Sequence, residues 1–211
     1  MKEWFFDFLI SLAALVVAII SIIIVIVVEY VRRPLIEFVQ HRDMPTAEDE
    51  RQGKMWYHLS VRNKEAPCFF NRDAALQCIA TVDFLDVNSR QSLVQIRAHW
   101  VNQPEPRQPD GIFDYSKIPT AQRIDVGFRP ESFDVLLKFE GQTGFYAADP
   151  WIVYRYPLEN QEWERLRIEY HECIVRAEIE SINLGKRKVG EYLLRNKGTR
   201  KEDIELVPVL M

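Results

Sequence analysis

The stretch LAALVVAIISIIIVIVVEYVRRP, residues 12–34, decides how the rest of the chain is interpreted. It belongs to an uncharged run of 21 residues from Phe8 to Val28. A helix of that length, rising about 1.5 Å per residue, crosses the roughly 30 Å hydrocarbon layer of a bilayer. The run is rich in Ile and Val, but a single segment in lipid satisfies its backbone hydrogen bonds only as a helix. We therefore expect one transmembrane helix, with Trp4 and Tyr30 at the two headgroup levels.

A cleavable secretory signal peptide is the alternative interpretation of this segment. Such a peptide has a positively charged start, an apolar region of about 7 to 15 residues and small residues at a cleavage site. Here the start carries Glu3 and Asp7 against Lys2, the apolar run is longer, and VVEYVRRP offers no small-residue site. We therefore expect a retained signal-anchor, residues 1–33, followed by one domain, residues 34–211.

The orientation of the span follows from the basic residues near its two ends. Lys2 precedes the helix, whereas Arg32, Arg33 and Arg42 follow it. Segments rich in Lys and Arg beside a span tend to stay in the cytoplasm. The sequence predicts a single-pass protein of the cell membrane with its N-terminus outside and its domain in the cytoplasm.

Charge and cysteine content narrow the range of partners for the domain. After the three basic and three acidic residues before Pro34 are set aside, the remaining 178 residues carry 24 Lys and Arg against 28 Asp and Glu. Nucleic-acid affinity depends largely on phosphate neutralisation, so no nucleic-acid partner is predicted. The cysteines Cys68, Cys78 and Cys173 are odd in number and form no C-x-x-C pair, which indicates neither a disulfide framework nor a zinc ribbon. No cofactor is predicted.

Short segments of alternating hydrophobicity run through the domain and predict its fold class. Examples are MWYHLSVRN (55–63), AALQCIATVDFLD (74–86), SLVQIRAHW (92–100) and WIVYRY (151–156). In the second segment we expect a buried row of alternate residues: Leu76, Cys78, Ala80, Val82 and Phe84. The segments are separated by turn-rich pieces without a strand-helix-strand rhythm. The pattern is typical of an antiparallel β-sandwich, here preceded by one transmembrane helix.

Three stretches also carry a resemblance to a known fold family. YHLSVRNKEAP (57–67), ALQCIATVDFLD (75–86) and IVRAEIESINLGKRKVGEYLLRNKG (174–198) have a strand-turn-strand rhythm. In this rhythm the chain resembles immunoglobulin-like β-sandwich domains that follow a single membrane span in prokaryotic proteins. The resemblance covers residues 34–208 in outline and implies a binding or scaffolding function without a catalytic motif.

The segment GFYAADPWIVYRYPLENQEW, residues 144–163, is unusually rich in large rings. Aromatic rings with polar groups are common anchors of protein interfaces. We therefore predict a partner-binding surface here, formed by Phe145, Tyr146, Trp151, Tyr154, Tyr156 and Trp163. Because alternation in WIVYRY must bury one face, we expect half or more of these rings to belong to the core.

Basic residues concentrate in the predicted hairpin tip GKRKVG and in RNKGTRKED just after it. Lys186, Arg187 and Lys188 occupy the tip, and Lys197, Arg200 and Lys201 are expected at the same end of the domain. On a cytoplasmic tether such a cluster attracts anionic lipid. The alternative is an ordinary solvated turn.

His171 and Cys173 are separated by one residue, which on a regular strand directs both side chains to one face. Together with Cys78, His58 or His99 they are weak candidates for a metal site or a Cys/His nucleophile. The alternative is that Cys173 continues the apolar row Val175, Ala177 and Ile179 as a small core residue.

The proline-rich segment 101–121 is longer than an ordinary strand connection and is either a binding loop or a crossover between sheets. Phe69 and Phe70 are adjacent, so on a regular strand one of them points away from the core.

The sequence thus predicts a membrane-tethered, non-catalytic binding domain that acts as an adaptor, accessory subunit or assembly factor through protein–protein contacts. One alternative is a metal-binding or Cys/His-dependent enzyme domain on a membrane anchor. Another is an accessory subunit whose helix packs against other spans through its small residues, which are Ser11, Ala13, Ala14, Ala18 and Ser21.

Overall fold

The computed structural model describes residues 2–39, 53–65, 72–103, 114–117 and 122–209, with the helix side chains described from Phe6 onward. The ring of Trp4, Arg42, Cys68, the pair Phe69 and Phe70, and most of the segment 101–121 fall outside the described part. What the sequence predicts for them stays a prediction.

The N-terminal segment forms one long helix, α1 (Lys2–Arg32). Within the described residues it is the one helix long and apolar enough to cross a membrane, a test that a signal sequence near the N-terminus also passes. The hydroxyl groups of its two serines make hydrogen bonds within the helix. Ser11 Oγ donates to the Asp7 carbonyl at 2.9 Å, and Ser21 Oγ donates to the Val17 carbonyl at 2.8 Å. The helix ends two residues before Pro34, which disfavours helical backbone in the residue preceding it.

The described part of the domain is mainly β. In chain order the strands are β1 (Ile36–Val39), β2 (Lys54–Asn63), β3 (Ala75–Leu85), β4 (Ser92–Arg97), β5 (Ile124–Val126), β6 (Glu131–Phe139), β7 (Phe145–Ala147), β8 (Arg167–Ile168), β9 (Glu172–Glu180), β10 (Lys188–Asn196) and β11 (Ile204–Pro208). One sheet has the order β1-β2-β6-β7-β8, and the other has the order β11-β10-β9-β3-β4 with β5 paired to β3. Each of these pairs is antiparallel, so the prediction of a mainly β, antiparallel domain is confirmed.

Among the described residues, both sheets contribute to one hydrophobic core. Phe84 of β3 and Phe145 of β7 contact across it with ring centroids 6.0 Å apart. Trp100 is fully buried, and its indole N–H lies within hydrogen-bonding distance of two carbonyls, at 3.2 Å from Cys78 and 3.1 Å from Gln122. The predicted row on β9, from Cys173 to Ile179, is buried as expected.

One glycine is required where the two sheets approach each other. A Cβ placed on Gly190 of β10 would lie 2.7 Å from the ring of Phe38 on β1, which is closer than side chains tolerate. The same Phe38 ring meets Tyr192 edge-on at 6.2 Å. This contact brings the edge of the first sheet against the second sheet on the side where α1 enters.

Two local predictions are wrong. Leu76 is 43% exposed and Ala75 is buried in its place, because Gln77 has a left-handed φ of 49° and shifts the alternation at the start of β3. WIVYRY does not begin as a strand, because Pro150–Val153 form a single helical turn, α2. The Asp149 carboxylate accepts a hydrogen bond from the Trp151 N–H at 2.8 Å and caps this turn, and Pro150 is favourable in its first position.

Strand register defines two ends of the domain. At the end that carries α1, β1 begins opposite the last residue of β2, and β10 begins opposite Ile179, the penultimate residue of β9. We call this the helix-side end, and the opposite one the far end. The side chain of buried Asn63 connects both sheets at the helix-side end, since it accepts from Leu35 N at 2.8 Å and donates to the Asp73 carbonyl at 2.7 Å. The helix therefore enters the domain through a hydrogen-bonded junction.

Candidate functional site

A buried cluster of His58, Asp134 and His99 lies on the first sheet. His58 on β2 faces Asp134 on β6 in the strand register, next to an irregularity in β2. The chain after β4 runs beside β6, where Asp134 N donates to the His99 carbonyl at 2.9 Å. As a result His58 Nδ1 lies 2.9 Å from one carboxylate oxygen, and His99 Nδ1 lies 3.3 Å from the other.

The electrostatics of this cluster favour an ionised carboxylate. Asp134 is 6% exposed, and burial alone acts to raise its pKa. Hydrogen bonds and charge from His58 and His99 outweigh burial, so the pKa of Asp134 is lowered from its ordinary value. His99 Nε2 is buried without a hydrogen-bond partner in the part of the chain that the structure describes. The ring of Tyr154 covers His99 edge-on, with centroids 5.6 Å apart.

Chemically, an ionised carboxylate between two imidazoles orients both rings. The same geometry does not assemble a metal centre, because the Nδ1 atoms of both rings face the carboxylate oxygens. Over the described ranges no group of three or more His, Cys, Asp or Glu side chains is arranged to hold a metal ion. The sequence offered only a faint signal for this cluster, since His58 and His99 entered the prediction as partners for a cysteine.

The six rings predicted as a partner-binding surface divide into two groups. Phe145, Tyr146 and Trp163 are buried, and the rings of Tyr146 and Trp163 meet edge-on at 5.5 Å. These three belong to the core, in line with the expectation that half or more of the rings are buried there.

The other three rings reach the surface around α2. Trp151 is 40% exposed, and Tyr154 and Tyr156 are half-buried. The guanidinium of Arg155 lies 5.2 Å from the ring centres of both Tyr115 and Tyr156, which holds these side chains in a fixed arrangement. We call Trp151, Tyr154 and Tyr156 the α2 surface.

His171 and Cys173 are not brought together. His171 precedes β9 and is exposed, whereas Cys173 is buried in the second residue of that strand. Burial raises the pKa of Cys173 to about 12 and that of Cys78 to about 11, so neither thiol forms a reactive thiolate near neutral pH.

The basic residues expected at one end of the domain form two clusters at opposite ends. Lys186, Arg187 and Lys188 lie at the helix-side end, and Lys197, Arg200 and Lys201 follow the last residue of β10 at the far end. The strand between them spans about 26 Å. The first cluster lines a groove of about 610 Å³ that also contains Arg33 and Arg72, two residues that the sequence did not connect with it.

A buried lysine at the far end is a further feature that the sequence did not indicate. Lys138 is fully buried. Its ammonium lies 2.7 to 3.2 Å from five oxygens: the carbonyls of Gln142, Thr143, Gly144 and Gly198, and the side-chain oxygen of Asn196. Burial lowers the pKa of Lys138, and the nearby carboxylates of Asp203 and Glu140 oppose that shift. The geometry joins turns of the two sheets and leaves the ammonium no open side for a substrate.

Of these features, the α2 surface and the helix-side groove are open to other molecules, whereas the His58–Asp134–His99 cluster and Lys138 are enclosed. Comparison of the chain with protein-family models, curated proteins and solved structures returned no match.

Proposed function

We propose that this chain is a membrane-tethered, non-catalytic binding domain that acts as an adaptor, accessory subunit or assembly factor through protein–protein contacts. The observation that supports it best is α1, whose large apolar side chains are exposed from Phe6 to Val27. The β domain forms its buried core without them. Such an apolar surface is unfavourable in water and suited to lipid. A tether of this kind raises the effective concentration of the domain beside a membrane-bound partner.

In this proposal α1 is a signal-anchor with its N-terminus outside and the domain in the cytoplasm. Arg32 and Arg33 at the domain side of the span support that orientation. The two sheets form an immunoglobulin-like sandwich in the same proposal. Support comes from the core that both sheets share and from the contact of Phe84 with Phe145.

The α2 surface is the proposed contact for the partner protein. The Asp149 cap holds the backbone of Trp151, and Arg155 stacks on the ring of Tyr156, so this segment loses little conformational freedom on binding. Large, partly exposed rings of this kind are typical centres of protein interfaces.

Site-specific photo-crosslinking in the native membrane tests this contact. The full chain would carry p-benzoylphenylalanine in place of Trp151, and we expect a discrete adduct of higher mass after irradiation. Tyr170 is a matched control position, since it is also aromatic and 47% exposed but lies in the connection from β8 to β9. We expect no such adduct from that position. Equal adducts at both positions, or none at either, would remove the support for the α2 surface.

A further inference from the structure

The helix-side end of the domain brings basic side chains together where α1 emerges. The groove there is lined by Tyr30 in the last turn of the helix and Arg33 just after it, by Arg72 before β3, and by the tip Lys186–Lys188 before and at the start of β10. The other lining residues are Pro34, Leu35, Ile36, Leu184 and Gly185, so none of the described residues that line it is acidic. Five basic residues therefore surround one cavity.

Arg72 fixes the base of this groove. Its guanidinium donates to the Val31 carbonyl, in the last turn of α1, at 3.1 Å. It also donates to the Arg33 carbonyl, just after the helix, at 2.9 Å. Its Nε is buried without a hydrogen-bond partner among the residues that the structure describes. The groove thus has a rigid base that already carries positive charge.

The other cations differ in how far they are neutralised. Arg187 lies 2.7 Å from a Glu180 oxygen and 3.5 Å from a Glu178 oxygen, so acidic neighbours offset much of its charge. Arg33, Lys186 and Lys188 are exposed and make no ion pair within the described ranges. Together with Arg72, these three give the groove its uncompensated positive charge.

Exposed apolar side chains lie at the same end of the domain as the groove. Ile182 in the β9–β10 connection is 73% exposed, Phe128 before β6 is 45% exposed, and Leu35 and Leu76 are 44% and 43% exposed. The strand register places all four residues at the helix-side end. Apolar residues interspersed with cations are typical of surfaces that lie in the headgroup layer of a membrane.

From this arrangement we propose that the groove binds the phosphate of an anionic phospholipid headgroup, with Arg33, Lys186 and Lys188 as its ligands and Ile182 and Phe128 in contact with the acyl boundary. Continuity with α1 selects a lipid over a soluble phosphate, because Tyr30 and Arg33 line the groove directly beside the exit of the proposed span. The inference rests on the proposed membrane anchor. It adds a preferred lipid class and a fixed orientation of the domain, with its helix-side end against the bilayer.

The test uses the full chain in nanodiscs of phosphatidylcholine with a minor fraction of spin-labelled lipid. Electron paramagnetic resonance gives the relative association of spin-labelled phosphatidylglycerol and spin-labelled phosphatidylcholine with the protein. We expect the unchanged chain to prefer phosphatidylglycerol, and Arg33→Gln/Lys186→Gln/Lys188→Gln to lose roughly fivefold or more of that preference.

A matched control comes from the far end of the same strand. Lys197→Gln/Arg200→Gln/Lys201→Gln removes the same number of positive charges about 26 Å away along β10, and we expect it to keep the preference. Arg33→Lys/Lys186→Arg/Lys188→Arg retains the charges and should also keep it. Circular dichroism of each variant checks that the fold is unchanged.

The possible results distinguish a failure of the proposed lipid site from a failure of the proposed membrane anchor. A chain that inserts into nanodiscs but shows no preference for phosphatidylglycerol, or loses it equally in both triple-Gln variants, overturns the lipid site and leaves the anchor in place. A chain that does not insert contradicts the anchor and the site together. If inorganic phosphate at matched ionic strength abolishes the preference at low millimolar concentration, the groove binds free phosphate and the assignment to lipid is overturned.

Discussion

Asp134 is an ionised group inside the domain, and its two histidines make that burial tolerable. A buried charge without partners is strongly unfavourable, whereas one that accepts two hydrogen bonds is not. Its lowered pKa means that the folded chain binds fewer protons at this carboxyl than the unfolded chain. The contribution to stability is therefore present above the ordinary carboxyl range and is lost as the pH falls through the pKa of the folded state.

We expect Asp134→Asn to lower the free energy of unfolding by about 2 to 4 kcal/mol near neutral pH. The difference between the two proteins should shrink below about pH 4, because the unchanged carboxyl then becomes protonated as well. Denaturant unfolding of the full chain in detergent micelles, followed by near-ultraviolet circular dichroism at several pH values, measures both effects.

Glu172→Gln is the control for that experiment. It breaks an exposed pair with Arg195, whose atoms lie 3.1 Å apart, and should change stability by less than about 1 kcal/mol. A pH-independent difference for Asp134→Asn would mean that the carboxyl is not ionised in the fold.

The cluster also shows what the sequence pattern leaves hidden at the residue scale. His99 and Asp134 are 35 positions apart, and neither lies in a motif of known spacing. Their contact depends on the segment after β4 running beside β6, which follows from tertiary packing and not from local periodicity. For a similar reason the sequence did not predict that Trp151 is exposed and Trp163 is buried, because both lie in the same aromatic segment.

At the scale of elements, Lys138 holds together two turns that belong to different sheets. Three of its acceptors, at Gln142, Thr143 and Gly144, lie in the β6–β7 turn, and the other two lie at the end of β10 and just after it. The side-chain amide of Asn196 donates to the Thr143 carbonyl across the same gap. The Gly141 N–H also donates to the Thr199 carbonyl at 2.8 Å, so the turns are joined through backbone as well.

We expect Lys138→Met to lower the free energy of unfolding by about 3 to 5 kcal/mol, because it leaves several buried carbonyls without a donor. Amide hydrogen exchange should accelerate first at Gly141 and around the β10–β11 turn, before other parts of the domain are affected. Lys188→Met, an exposed substitution on β10, is the control and should change neither quantity appreciably. Uniformly faster exchange throughout the domain would show that Lys138 supports the core in general and not these two turns.

Elements were predictable where one physical effect dominates. The long apolar run gave α1, and alternation gave β2, β4, β9 and β10, because burial of one face sets the period. Prediction failed where a local cap or an unusual dihedral angle opposed the pattern, as with Asp149 and Pro150 in WIVYRY and with the positive φ of Gln77. The paired sheets themselves depend on contacts between distant segments, which periodicity alone does not specify.

At the scale of the whole molecule, the helix and the domain are connected by a junction and not by a loose linker. Asp73 N donates to the Arg32 carbonyl at 2.8 Å, and Asp73 Oδ1 lies 3.1 Å from Arg32 Nη2. Arg72 and Asn63 add further bonds to the same junction. The proposed α2 surface and the proposed lipid site are therefore held in fixed positions relative to α1, as the proposed function of a membrane-tethered binding domain requires.

The topology of this arrangement can be tested with introduced thiols, because Cys78 and Cys173 are buried and their raised pKa values, about 11 and 12, keep them unreactive in the fold. In a chain with Cys68→Ser, we expect Lys197→Cys at the far end to react with a membrane-impermeant maleimide only after the cells are permeabilised. Lys2→Cys, before the span, should react in intact cells. The reverse pattern would place the domain outside and direct the search for its partner to the other side of the membrane. Reaction of both thiols in intact cells would mean that α1 does not cross the bilayer.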